Sequence, residues 1–268
     1  MLNKTEAPRP MPELHDPTEI FLEALIAGDK PRLLAGFAGE PAVDDPLGGH
    51  VRGPADFERY CRERHAWLAE RAPRVETLRV TRGGGRTVFE SLLHLSLPEP
   101  GVALPVAVVG DQAPGGRVRA IRVYHSLWPL FGAHRVRPPL LPRDPSLVVR
   151  DVVAEYQRAL AAGDVEMITG TFESAGYFRE PAGGDYFYRG REKVHEFMAH
   201  LLGSGGIGLE HCTVTDDGVA CAIEFNAVKF GPHRLEPQAG VAVYERGSTG
   251  RLHAARVYDD VNVEALAG

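Results

Sequence analysis

Cysteine is rare in this sequence, which contains only Cys61, Cys212 and Cys221 among 268 residues. An odd number of cysteines cannot form a closed set of disulfide bonds, and their spacing does not match that of a metal site. The sequence therefore argues against a disulfide scaffold and against a zinc domain. A reducing cytoplasm is the predicted compartment, and no metal is expected.

The sequence also lacks an excess of basic charge and any apolar run of membrane-spanning length. The 30 lysines and arginines face 36 aspartates and glutamates, so the formal net charge is −6. Nucleic-acid-binding proteins usually carry a basic surface, and a membrane-spanning helix needs about 20 apolar residues. We expect neither nucleic acid nor a membrane as a partner. Residues 1–15 are rich in proline and charge without an apolar signal core, which predicts a disordered lead-in.

What the sequence does contain is a long internal repeat. Residues 24–29 read Ala-Leu-Ile-Ala-Gly-Asp, and residues 159–164 read Ala-Leu-Ala-Ala-Gly-Asp. Near the end of each half, the pattern Arg-x-x-Ala-x-Arg-Val-Tyr occurs at 117–124 and again at 251–258. Two matches in the same order at nearly constant separation indicate two copies of one globular domain. The chain is predicted to act as a monomeric pseudo-dimer or as a homodimer.

Each half shows helix signals followed by strand signals. Asp16 and Pro17 open a helix that stops at Gly28, and a helix in the second half is predicted to open at 144–146 and to stop at Gly163. Third helices are predicted at 54–70 and 191–202, and the rest of each half is strand-like. This order predicts an α+β fold, with helices packed on a curved, mostly antiparallel sheet. The predicted domains are 16–128 and 145–268, joined by a proline-rich linker, 129–144, that holds neither helix nor central strand.

A turn with an acid directly before proline also occurs in both halves, at 43–49 and at 178–184. Together with the Ala-Gly-Asp helix ends, the glycine before each third helix and the four closing strands, this turn resembles the nuclear transport factor 2-like superfamily. That superfamily includes ketosteroid isomerase and the SnoaL-like polyketide cyclases. The resemblance covers about 15–128 and 145–265, and it implies two tandem cone-shaped domains with one pocket each. The fold hosts many activities, so the resemblance is weak for function.

The resemblance also implies site residues. The general base of the isomerases corresponds to Asp45 in the first half and to Glu180 in the second. The tyrosine that stabilises the oxyanion in the isomerases corresponds to Tyr156 in the second half, whereas the first half has Phe21 at this position. Their second oxyanion acid has no counterpart in either half. The cyclases carry an acid on the last strand, which corresponds to Asp259.

Strand alternation places Ala255, Val257 and Asp259 on one face, so an apolar pocket lined by the first two would include the third. Glu180, Asp259 and Tyr156 are therefore the predicted catalytic set. Two carboxylates in an apolar cone should have their pKa values pushed apart, and a phenol can stabilise an enolate. The alternative is that Glu180 caps a turn, Tyr156 is a core aromatic, and Asp259 pairs with an arginine such as Arg256 or Arg179.

A second pocket is predicted in the first half. Asp45 and His125 would form a carboxylate–imidazole pair there, and His94 would join them. The competing interpretation is a buried histidine satisfied by a neighbouring acid. Aromatic residues are predicted to bind the ligand, and these are Tyr177, Tyr186, Phe225 and Trp128.

The predicted function is that of a cofactor-independent isomerase or cyclase. It would act by acid–base proton transfer on a hydrophobic, carbonyl-bearing small molecule, in polyketide or other secondary-metabolite biosynthesis. One alternative is a non-catalytic protein that binds a small molecule or serves as a scaffold. Another is an assembly module that binds a protein through its open sheet face.

Overall fold

The computed structural model describes residues 16–260. The predicted disordered lead-in, 1–15, lies outside the described residues. Within them, two units follow one another, and each combines helices with a six-stranded sheet. No helix in this range is long and apolar enough to cross a membrane.

The first unit begins with a capped helix. The Asp16 side chain accepts a hydrogen bond from the Thr18 amide at 2.9 Å, and Gly28 ends the helix in the left-handed conformation at φ 66°. The elements of this unit are α1 Pro17–Ala27, α2 Lys30–Ala35, β1 Ala42–Asp45, β2 Gly49–Arg52, α3 Gly53–Ala69, β3 Arg74–Gly83, β4 Arg86–Leu95, β5 Val102–Ala113 and β6 Arg117–Tyr124.

The second unit repeats this order after a short helix. Its elements are α4 Trp128–Phe131, α5 Asp151–Ala162, α6 Val165–Thr171, β7 Phe172–Arg179, β8 Phe187–Arg189, α7 Arg191–Leu201, β9 Ile207–Asp216, β10 Ala220–Phe230, β11 His233–Arg246 and β12 Leu252–Val257. The predicted opening of α5 at 144–146 is wrong. The Asp144 side chain caps only a turn there, at 2.9 Å from the Ser146 amide, and the helix starts after the extended Arg150.

The two sheets have the same strand order. It is β2-β1-β6-β5-β4-β3 in the first unit and β8-β7-β12-β11-β10-β9 in the second. The pairs β1–β6 and β7–β12 are parallel, and the other pairs are antiparallel. The predicted tandem α+β architecture is confirmed. The short strands β2 and β8, which return after the acid–proline turns, were not predicted.

Each sheet packs on its helices through one face and on the other domain through the opposite face. Separate apolar clusters fill the helix side of each unit. A third cluster joins the two sheets, and its members are Val88, Ala107, Val109, Tyr124, Ala220, Ala222, Val241, Val243 and Tyr258. The sheet face that an assembly module would offer to another protein is therefore covered by the second copy of the fold.

Two buried ion pairs cross this interface in opposite directions. The Arg122 Nε donates to the Glu224 Oε1 at 2.5 Å, and the Arg256 Nε donates to the Glu90 Oε1 at 2.7 Å. Each residue of one pair lies 134 positions from its counterpart in the other. The two domains are thus related by a pseudo-twofold arrangement.

The connection between the domains starts within a helix. Pro129 lies in the first turn of α4, where its missing amide proton breaks no hydrogen bond. The prediction that 129–144 holds no helix is therefore wrong for its first three residues. Leu127 and Leu130 anchor this helix in the apolar core of the first domain.

Candidate active site in the second domain

A cavity of about 410 Å³ lies between the helices and the sheet of the second domain. Most of its wall is apolar and includes Leu160, Phe178, Phe197, Phe225, Ala242 and Val257. The ionisable side chains on the wall are those of His134, Tyr156, Glu180, Tyr186, Tyr244, Asp259 and Asp260. The three residues predicted to be catalytic, Glu180, Asp259 and Tyr156, are among them.

Glu180 follows the end of β7 directly and lies in the acid–proline turn. Its amide donates to the Tyr186 carbonyl at 3.0 Å, and its Oε1 accepts a hydrogen bond from the Tyr188 hydroxyl at 2.6 Å. Burial raises the pKa of the Glu180 carboxyl, although the Tyr188 hydrogen bond and the nearby His134 oppose this. This group can therefore hold or release a proton closer to neutral pH than an exposed glutamate can.

Asp259 follows β12 and is buried. Its Oδ2 accepts a hydrogen bond from the Val241 amide at 2.7 Å, and its Oδ1 lies 3.4 Å from the Arg137 Nη2. Burial raises the pKa of Asp259 to about 7, and the Arg137 guanidinium only partly offsets this effect. Asp259 therefore does pair with an arginine, as the alternative interpretation expects, but the partner is Arg137 and not Arg256 or Arg179. Arg256 points toward the first domain, where it pairs with Glu90.

The elevated pKa of Asp259 predicts a pH-dependent effect of its substitution. The folded protein holds this proton up to about pH 7, whereas an unfolded aspartate releases it near 3.8. The Asp259 contribution to stability is therefore present at low pH and is lost as pH rises through this window. Asp259→Asn should gain about 2–4 kcal/mol of unfolding free energy relative to wild type between pH 4 and pH 7, as measured by urea denaturation.

A matched control for this experiment is Asp185→Asn, which replaces an exposed aspartate of the same domain. Its stability relative to wild type should not vary over the same pH range. If the stability of Asp259→Asn relative to wild type also stays constant between pH 4 and pH 7, the elevated pKa of Asp259 is contradicted.

Tyr156 projects from α5 and is buried. Its ring meets Phe172 edge-on at 6.0 Å and lies 5.1 Å from the Tyr244 ring. Burial raises the Tyr156 pKa well above its usual value, so the phenol keeps its proton and can donate it in a hydrogen bond. The corresponding Phe21 of the first domain has no such group.

Three of the four predicted ligand-binding aromatics line the cavity, namely Trp128, Tyr186 and Phe225. Tyr177 does not. Phe178 faces the cavity, so alternation along β7 directs Tyr177 to the opposite face. There its ring stacks on Phe187 at 4.6 Å, and its hydroxyl accepts a hydrogen bond from Arg256 at 2.9 Å.

Two further ionisable residues that line the cavity, His134 and Asp260, were not predicted. His134 lies in the segment interpreted only as a linker. One signal in the sequence could have revealed Asp260. It is an acid directly after Asp259, whereas the first domain has Ser126 at the corresponding position. No feature of the linker sequence indicates that it reaches the second cavity.

The predicted second pocket is only partly assembled. Asp45 and His125 are both buried and close enough for the carboxylate charge to act on the imidazole, yet burial dominates and lowers the His125 pKa. The oxygens of Asp45 accept hydrogen bonds from the Leu47 and Gly48 amides at 2.7 and 2.6 Å, and from the Tyr60 hydroxyl at 3.0 Å. This geometry favours a structural carboxylate that organises the turn.

His94 lies apart from that pair. In β4 the core-facing residues are Phe89, Leu93 and Leu95, so alternation turns His94 away from the interior of the cone. Its Nε2 pairs with the Glu76 carboxylate at 2.8 Å in a partly exposed position. The expectation that His94 joins Asp45 and His125 is wrong.

Each of the two α+β domains packs its helices on one face of a six-stranded sheet, and the second encloses an apolar cavity with buried acids. Residues 153–255, which lie in the second domain, match the family described as the SnoaL-like domain. No curated protein matches the chain by sequence.

Many solved structures are similar to one unit of this chain at low sequence identity. A protein of unknown function from Cytophaga hutchinsonii, described as NTF2-like, is 16% identical over 47% of this chain and 100% of its own, with a TM-score of 0.34. An LEH-like epoxide hydrolase from M. tuberculosis is 20% identical over 41% of this chain and 80% of its own, with a TM-score of 0.35. SalBIII, described as an epoxide hydrolase/cyclase-like enzyme in pyran ring formation in the polyether salinomycin, is 22% identical over 40% and 86%, with a TM-score of 0.33.

Proposed function

We propose that the second domain is a cofactor-independent isomerase or cyclase that transfers protons on a hydrophobic, carbonyl-bearing small molecule. The observation that carries this proposal is the convergence of Glu180, Asp259 and Tyr156 on one largely apolar cavity. Acid–base catalysis needs groups that change protonation near the working pH, and burial raises the pKa of both carboxyl groups in that direction. Polyketide or other secondary-metabolite biosynthesis is the proposed setting.

Each group has a separate role in this proposal. Glu180 removes a proton from the carbon next to the carbonyl, and Asp259, protonated up to about pH 7, returns a proton elsewhere on the substrate. The Tyr156 hydroxyl, which keeps its proton, donates a hydrogen bond to the carbonyl oxygen as negative charge develops there. The same set can serve isomerisation or an aldol-type ring closure.

The proposal can be tested with 2-tetralone, an apolar fused-ring ketone with acidic hydrogens next to its carbonyl. The wild-type protein should accelerate deuterium uptake at that carbon in heavy water, as followed by proton NMR. Ala242→Phe should abolish the acceleration, because Ala242 lines the cavity and a phenyl ring would occupy the ligand volume.

The matched control is Val108→Phe at the corresponding strand position of the first domain, where the side chain is fully buried in the apolar core. Overpacking there should cost about 1–3 kcal/mol of stability without removing activity from the folded protein. If 2-tetralone quenches Trp128 fluorescence but exchanges at the buffer rate, the acid–base proposal is wrong. That result would support the alternative, a non-catalytic binding protein.

A further inference from the structure

The segment that joins the domains closes one wall of the second cavity. Leu127 and Leu130 are buried in the apolar core of the first domain, whereas Trp128 and His134 line the cavity of the second. The first domain therefore holds in place two aromatic side chains that the second domain alone does not possess.

Asp260 fastens this segment at both ends. Its Oδ2 accepts hydrogen bonds from the Leu127 amide at 3.1 Å and from the Arg135 amide at 3.0 Å, and its Oδ1 accepts one from the Ser126 hydroxyl. These donors lie on both sides of α4, so one buried carboxylate fixes the loop from 126 to 135.

The same carboxylate sets the tautomer of His134. The His134 Nδ1 lies 3.1 Å from the Asp260 Oδ1, an arrangement in which Nδ1 donates to the carboxylate and a neutral imidazole presents its lone pair at Nε2. The imidazole also stacks on the Trp128 indole, with ring centroids 4.5 Å apart and planes at 15°. No residue within 16–260 donates a hydrogen bond to Nε2, and the ring lies at the cavity wall with its side chain 30% exposed.

We propose that His134 Nε2 accepts a hydrogen bond from a ligand hydroxyl or enol while the Trp128–His134 pair supports the flat face of that ligand. The corresponding ligand class is a fused-ring, apolar compound that carries a hydroxyl group or an enolisable ketone. This inference rests on the proposed function for the identity of the cavity as the ligand site. His134 then orients the group whose proton Glu180 and Asp259 exchange.

Two probes separate the hydrogen bond from the stacking. Naphthalene and 2-naphthol have the same ring system, but only 2-naphthol can donate to Nε2. In a titration of Trp128 fluorescence, His134→Phe should weaken 2-naphthol binding about tenfold, since it removes the acceptor. Naphthalene binding should change by less than about twofold, since the phenyl ring preserves the stacked wall.

Nitrogen-15 NMR on histidine-labelled wild-type protein provides a readout that does not depend on a variant folding. In the free protein, Nδ1 of His134 should be protonated and Nε2 unprotonated. Addition of 2-naphthol should shift the Nε2 resonance, and addition of naphthalene should not. Asp260→Asn should mix the two tautomers and weaken 2-naphthol binding in the same direction as His134→Phe.

The inference is overturned if His134→Phe leaves the affinity for 2-naphthol unchanged, or if it lowers the affinities for 2-naphthol and naphthalene equally. It is also overturned if 2-naphthol does not shift the Nε2 resonance. These binding results are separate from turnover. If 2-tetralone does not exchange but 2-naphthol shifts the Nε2 resonance, the proposed function is wrong and the inference stands. If 2-tetralone exchanges but the Nε2 resonance does not shift, the inference is wrong and the proposed function stands.

Discussion

Replacing Glu180 by glutamine is expected to slow 2-tetralone deuterium exchange by about 10²–10⁴-fold, which is the usual contribution of a positioned general base. Glutamine keeps the size of the side chain and can still accept a hydrogen bond from the Tyr188 hydroxyl, but it cannot take a proton. The rate of exchange at saturating 2-tetralone should fall, while Trp128 quenching by the same ketone should persist.

The control for this substitution is Asp185→Asn, an acid-to-amide change in the same turn at an exposed position that does not line the cavity. It should exchange 2-tetralone at the wild-type rate. If Glu180→Gln exchanges as fast as this control, Glu180 is not the base. The Tyr188 hydrogen bond would then hold a carboxylate that serves only the turn.

Removing Glu224 should destabilise the protein by about 1–3 kcal/mol, the cost of leaving buried hydrogen-bond donors unsatisfied, because Arg122 keeps its ion pair with Asp111 at 2.6 Å. Its carboxylate is almost fully buried and accepts hydrogen bonds from Arg122, from the Tyr124 hydroxyl at 2.7 Å and from the Thr213 hydroxyl at 2.6 Å. Glu224→Ala leaves these donors facing one another across the domain interface. Urea denaturation followed by circular dichroism measures the loss.

The pseudo-twofold arrangement allows the same test at the second ion pair, between Glu90 and Arg256. Glu90 accepts from Arg256 at 2.7 and 2.9 Å and from the Tyr258 hydroxyl, so Glu90→Ala should cost a similar amount. Glu196→Ala breaks an exposed pair with Lys193 and should cause no measurable change. If both interface variants match this surface control, the two ion pairs do not hold the domains together.

The repeat and the order of elements could be predicted from the sequence because they depend on local patterns. Capping residues, left-handed glycines and apolar alternation act over a few positions, and they define α1, α3 and the long strands well. The short strands β2 and β8 have little pattern of their own and form only because β1 and β7 offer a free edge. The start of α5 was misplaced because an aspartate turn at 144–146 resembles a helix cap.

The candidate site divides in the same way. Glu180, Asp259 and Tyr156 lie within one domain, so strand parity and family resemblance could bring them to one cavity. His134 reaches that cavity from the segment between the domains, and Arg137 of the same segment pairs with Asp259. Their positions depend on how the two sheets dock. The docked sheets are joined by an apolar cluster and by the crossed ion pairs, whose members are separated by more than 100 residues. No local pattern encodes such a contact.

The crossed ion pairs also bear on the origin of the chain. The second domain carries an acceptor, Glu224, and a donor, Arg256, and the first carries the equivalent Glu90 and Arg122. Either half thus holds both components needed to bind a copy of itself. Such self-complementarity is the defining property of the interface of a symmetric homodimer. The segment that follows the first copy carries Trp128 and His134 to the wall of its neighbour's cavity.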